Sequence, residues 1–112
     1  MTFLVFCSST FVYADEQEQL NLRLVEASKD GRLEVVKDAI ASGADIETQT
    51  KDGSTPLNLA SQKGYTEIVK LLLESNADVN IAHTSDSTPL YIASQNGHSQ
   101  IIKLLEDYGA KE

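Results

Sequence analysis

Apolar side chains recur with helical spacing in three separate places along the chain: Val35, Val36, Ala39 and Ile40; Ile68, Val69, Leu72 and Leu73; Ile101, Ile102 and Leu105. Such spacing lays an apolar stripe along one side of a helix and leaves polar residues opposite. Thr55-Pro56-Leu57 and Thr88-Pro89-Leu90 precede the second and third stretches. A threonine that accepts an orphan backbone N–H, followed by a proline whose missing N–H costs nothing at the first helical position, predicts a helix start at each. Gly31, Gly64 and Gly97 separate these short first helices from the second ones, which end at Gly43, Asn76 and Gly109. Both columns suit left-handed backbone at a helix end, where Asn is the usual substitute for Gly. The pattern predicts an all-α chain of paired helices.

These features repeat at one interval. With the chain shifted by 33 residues, Ser54–Val79 matches Ser87–Glu112 at 13 of 26 positions, and Asn21–Ile46 matches Ser54–Val79 at 10 of 26. Self-similarity at a fixed period marks a solenoid, in which each repeat packs on its neighbours. The repeats run over about 20–49, 50–82 and 83–112. Ala27, Ala60 and Ala93 share a column where small side chains let helices approach. In the first repeat Leu22-Arg23 replace Thr-Pro, and Leu20 stands in the column of Gly53. That repeat is expected to start from a longer helix capped by Asp15, with Glu18 at capping-box spacing. In the last repeat Glu106 stands where Ile40 and Leu73 stand in the others, which suits a helix with no repeat after it.

The Thr-Pro-Leu signature, the following glycine, the Ile-Val-Lys-Leu-Leu and Ile-Ile-Lys-Leu-Leu runs and the closing Ala77-Asp78-Val79-Asn80 together resemble the ankyrin-repeat family, across roughly Leu20 to Glu112. The resemblance implies an all-α solenoid of helix-turn-helix units with short hairpin-like turns between repeats. It implies a non-catalytic module that binds a protein through the turn tips and the exposed edge of the first helices. Carried over by column, the candidate binding positions are Lys29, Asp30, Lys51, Asp52, Ser54, Gln62, Lys63, Thr84, Ser85, Ser87, Gln95 and Asn96. Tyr91 and Tyr65 are the aromatic candidates. Asn58 and Tyr91 stand where the signature has His, so the family's Thr–His hydrogen-bond network is not expected in its usual form.

Composition narrows the function. The chain has 112 residues, the length of one small domain, and 9 Lys plus Arg against 17 Asp plus Glu give a net charge of −8. That balance disfavours a nucleic-acid binder, which needs clustered cations, and favours a protein partner with a basic surface. A single cysteine excludes a disulfide framework within the chain and a Cys-rich zinc site.

Residues 1–14, MTFLVFCSSTFVYA, carry no charge, and all 26 charges lie from Asp15 onward. This run is shorter than the ~20 residues a membrane-spanning helix needs. Its apolar body and the closing Val12-Tyr13-Ala14 read as an export signal cleaved after Ala14, although no Lys or Arg stands at its start. The other readings are a short apolar segment lying against the domain, a retained membrane anchor, and lipid attachment at Cys7. Cleavage would leave residues 15–112, without cysteine and without a membrane span, in a periplasmic or secreted location; retention would fit a cytoplasmic one.

Little else suggests chemistry. His83 and His98 read as structural or solvated, and a metal would need a third ligand such as Asp86. No Gly-x-Ser-x-Gly elbow occurs, and the repeat accounts for every glycine. No catalytic group, cofactor or metal is therefore expected. Lys37, Lys70 and Lys103 follow Glu34, Glu67 and Gln100 by three residues, as a solvated helix face or a ladder for an acidic partner. Two alternatives to a binding module remain: an accessory protein that stabilises another in its compartment, and an enzyme or metal protein.

Overall fold

Thr55 and Thr88 cap the helices they precede, their hydroxyls accepting the N–H of Asn58 and Tyr91 at 3.2 Å each. Pro56 and Pro89 occupy the first turn in both cases. A computed structural model describes residues 2–81 and 87–110, with side chains from Glu16 onward. Among the described residues there are six helices and no strand: α1 Thr2–Asp30, α2 Leu33–Ala41, α3 Pro56–Lys63, α4 Thr66–Glu74, α5 Pro89–Gln95 and α6 Ser99–Asp107. Each odd helix packs on the even helix that follows it; α1, α3 and α5 stack in one layer, and α2, α4 and α6 in the other.

Positions 33 residues apart are structurally equivalent down to single hydrogen bonds. The carbonyls of Ala27, Ala60 and Ala93 accept from the N–H groups of Arg32, Tyr65 and His98 at 2.9–3.0 Å. Those of Ala39, Leu72 and Leu105 accept from Ala44, Ala77 and Ala110, again at 2.9–3.0 Å. These five-residue reaches satisfy carbonyls that a helix end would otherwise leave orphaned. They require a left-handed residue inside the turn, and Gly31, Gly64 and Gly97 have φ of 79°, 84° and 72°. In the second column Gly43, Asn76 and Gly109 have φ of 99°, 73° and 95°. Asn76 is the only non-glycine with positive φ among the described residues, at the position where asparagine was expected to replace glycine. The hairpin between α2 and α3 closes where Thr50 donates to the Ser54 carbonyl at 3.0 Å and Gly53 to the Thr50 carbonyl at 2.9 Å.

The core follows the same columns. Ala27, Ala60 and Ala93 are buried, as are Leu24, Leu57 and Leu90 one helical turn before them. Val36, Ala39, Val69, Leu72, Ile101 and Leu105 bury the facing stripe of the second helices. Leu73 is buried between repeats, whereas Glu106 in its column is exposed.

One contact between repeats has no counterpart within a repeat. Tyr65 lies against Gly31, and a Cβ at that glycine would fall 2.8 Å from its ring. His98, in the same column one repeat later, lies against Gly64, where a Cβ would fall 2.7 Å from Cε1. A carbonyl only accepts, so His98 Nε2 carries a proton and donates to the Gln62 carbonyl at 3.1 Å. His98 is thus structural, and Tyr65 is half-buried in the stack rather than part of an exposed edge. His83 and Asp86 lie outside the described residues.

The expected cap at Asp15 is not found. The helix runs unbroken from Thr2 to Asp30 and passes through Asp15. No Gly or Pro occurs before Gly31 to interrupt it.

Gly64→Ala is expected to destabilise the fold more than Gly97→Ala. Both need a left-handed L-residue, at about 1–2 kcal/mol, but among the described residues nothing stands within 4 Å of a Cβ at Gly97. Urea unfolding should show the excess, and a His98→Ala background should remove most of it. Equal costs at the two glycines would contradict the ring-on-glycine contact.

Candidate functional site

The first helices present one matched row per repeat. In α3 and the residue before its cap the row is Ser54, Asn58 and Gln62; in α5 it is Ser87, Tyr91 and Gln95. The threonine caps fix where both helices start, so spacing by four residues holds each row on one helix side. Between the rows lies a pocket of about 220 Å³, lined by Ser54, Asn58, Gln62, Ser87, Tyr91, Ile92, Gln95 and Asn96. No lining side chain is charged. Tyr91 is 52% exposed, and its hydroxyl accepts from Gln95 Nε2 at 2.8 Å.

Asn58 differs from the other lining residues. It is 2% exposed, and its backbone N–H is taken by the Thr55 cap. Both polar atoms of its side chain are buried and, among the described residues, without a hydrogen-bond partner. A buried donor or acceptor left unpaired costs about 1–3 kcal/mol.

A second pocket, of about 610 Å³, continues the surface toward α1, between Glu18, Asn21, Leu22 and Val25 and the hairpin residues Thr48 to Lys51. Side-chain tethers set the hairpin height. Asn21 Oδ1 accepts the Asp45 N–H at 2.7 Å, and Gln17 Nε2 donates to the Gly43 carbonyl at 3.0 Å. Glu47 repeats the device one unit later, its Oε2 accepting the Asp78 N–H at 2.6 Å. Burial of the Glu47 carboxyl, with Asp78 and Asp45 nearby, raises its pKa above the usual 4.5 despite that hydrogen bond.

A family model for ankyrin repeats, in three copies, matches residues 24–112. The chain belongs to the ankyrin-repeat family. No curated protein matches it. Ankyrin repeats are generally protein–protein interaction modules and typically non-catalytic.

On this ankyrin-repeat frame the structure brings Ser54, Gln62, Ser87, Tyr91, Gln95 and Asn96 around one pocket and places Lys51 beside the next. Lys29, in the same row as Gln62 and Gln95, is exposed at the end of α1, and Lys63 is exposed at the end of α3. Asp52 is exposed at the hairpin tip. Asp30 lies apart, in a pocket with Arg23, Glu26 and Arg32. Thr84 and Ser85 lie outside the described residues. Asn58 was visible in the sequence only as a departure from the signature; its burial without a partner is a structural fact. On the opposite layer Glu34 pairs with Lys37 at 3.5 Å, and Lys70 and Lys103 are exposed. Among the described residues no three metal-ligating side chains converge, and no helix is long and apolar enough to cross a membrane.

Glu47→Gln tests the hairpin tether. The raised folded pKa means that the folded state holds the proton more tightly than the unfolded chain. Ionising Glu47 therefore lowers stability as pH rises through the window above 4.5, and the loss persists at higher pH. Glutamine keeps an acceptor for the Asp78 N–H without a charge to desolvate. The variant should equal or exceed the wild type in Tm at pH 7, and its gain should shrink as pH falls below about 4.5. A variant less stable at pH 7, with the deficit vanishing in acid, would show that the charged hydrogen bond outweighs desolvation.

Proposed function

We propose that this ankyrin-repeat chain binds a protein partner, without catalysis, through the pocket between α3 and α5 and the hairpin surface beside it. The observation that supports this reading most is the pair of matched rows. In these rows Tyr91, Gln62 and Gln95 stay exposed beside one concavity. An aromatic ring at the rim of a polar pocket is the kind of anchor that concentrates binding energy. The net charge of −8 favours a partner with a basic surface, acting on association rate and selectivity more than on affinity.

Affinity capture with the full chain as bait tests this. Combined Lys51→Ala, Tyr91→Ala and Gln95→Ala changes should weaken the wild-type complex at least about tenfold, as loss of a hot spot does. Lys70→Ala with Lys103→Ala on the opposite layer should leave it intact. The reverse pattern would move the binding face to the second helices.

We also propose that residues 1–14 are removed on export, so that the mature chain starts at Asp15 and lacks Cys7. The uncharged run and its Val12-Tyr13-Ala14 ending support this. The tethers from Gln17 and Asn21 lie after the cut, so this attachment of α1 to the hairpin would survive it. N-terminal sequencing of the natural protein should begin at Asp15; a chain intact from Met1 in the cytosol would end this reading.

A further inference from the structure

We propose that the pocket between α3 and α5 receives a carboxamide of the partner, the side chain of an asparagine or glutamine, and that Asn58 is the residue that reads it. The inference rests on the reading of this pocket as the protein-binding face.

Asn58 lines the pocket, and its acceptor Oδ1 and donor Nδ2 are both buried with no hydrogen-bond partner among the described residues. The group that satisfies both at once is another carboxamide, through two antiparallel N–H···O bonds. A carboxylate would set an acceptor against Oδ1, and an ammonium would set a donor against Nδ2. The lining argues the same way. Ser54, Gln62, Tyr91 and Gln95 supply hydroxyl and amide groups but no charge, so an ion entering here would lose water without a counter-charge. A volume of about 220 Å³ leaves room for an amide side chain.

The two amide atoms of Asn58 are shielded from solvent. Presenting both atoms to the pocket needs a turn about the first side-chain torsion, because the terminal torsion only spins the amide about its own axis. The hydroxyls of Ser28 and Ser61 are also buried without a partner among the described residues, but neither lines this pocket. A site with a buried unpaired polar group discriminates strongly against ligands that cannot pair it. The partner's basic surface and the neutral pocket therefore have separate roles: charge steers the approach, and Asn58 sets what fits.

The full chain, labelled with ¹⁵N, is titrated with propionamide and in parallel with propionate. Propionamide should shift the Asn58 side-chain NH₂ signals and the Tyr91 amide, with propionate at least about tenfold weaker. Asn58→Leu replaces the unpaired amide by an apolar group of similar size. It should fold with an unchanged Tm or one a few degrees higher, and lose the propionamide response. A Tm drop of more than about 5 °C would assign Asn58 a structural role and overturn the proposal. So would an equal response to propionate, or no propionamide shift in the wild type. A captured complex that is lost with Tyr91→Ala but kept with Asn58→Leu would overturn the carboxamide reading alone and leave the binding face standing.

Discussion

No helix pair in this molecule can hide its own apolar side, and stacking on the next pair is what every other feature depends on. The alanine column makes that stacking close. Ala27, Ala60 and Ala93 are buried in the first-helix layer, where a larger side chain would hold the helices apart. Close approach then brings Tyr65 onto Gly31 and His98 onto Gly64. The glycines thus serve two ends with one missing Cβ: they allow the left-handed turn, and they make room for the next repeat's ring. Stability in such a stack is a sum over neighbouring interfaces, and three repeats are near the smallest number that suffices.

This constraint also determines what is left for binding. The eight-residue α3 gives one side to the second helix of its own repeat and its flanks to the repeats before and after, while the seven-residue α5 has a first-helix neighbour on one flank only. One row remains, and successive repeats align their rows because they are equivalent in space. The polar groove is therefore a by-product of stacking, and its chemistry is free to vary where the core columns are not. Asn21, Ser54 and Ser87 share one position of the row; Val25, Asn58 and Tyr91 share the next, with three different chemistries.

Most of the fold was legible because its determinants are local or periodic. A threonine before a proline caps a helix wherever it occurs, and a left-handed turn needs Gly or Asn whatever surrounds it. The period aligned these signals and gave the layers. What stayed hidden depended on partners distant in sequence. Tyr65 reads as surface because nothing near it in the chain announces that Gly31 will lie against its ring. Nothing in the sequence singles out Glu47, and only the fold brings it to the Asp78 N–H. Asp15 fails as a cap because the apolar run before it continues the same helix. Asn58 shows the limit most clearly. Its column is readable, but whether its amide finds a partner depends on what the neighbouring repeat offers.

The place of that unpaired amide in the stack bears on why the fold tolerates it. Asn58 belongs to the middle repeat, which alone has a stacked neighbour on both sides, and its helix holds buried Leu57 and Ala60 on either side of it in sequence. In the first repeat the same position is Val25 and in the last it is Tyr91, neither of which leaves an unpaired buried amide. A two-sided interface can bear a local cost of about 1–3 kcal/mol that a terminal repeat, held on one side, would meet by fraying. Natural sequences break a local rule chiefly where function needs it and where the surrounding structure over-determines the result. Under the proposed carboxamide reading both conditions meet at Asn58, in the repeat held from both sides.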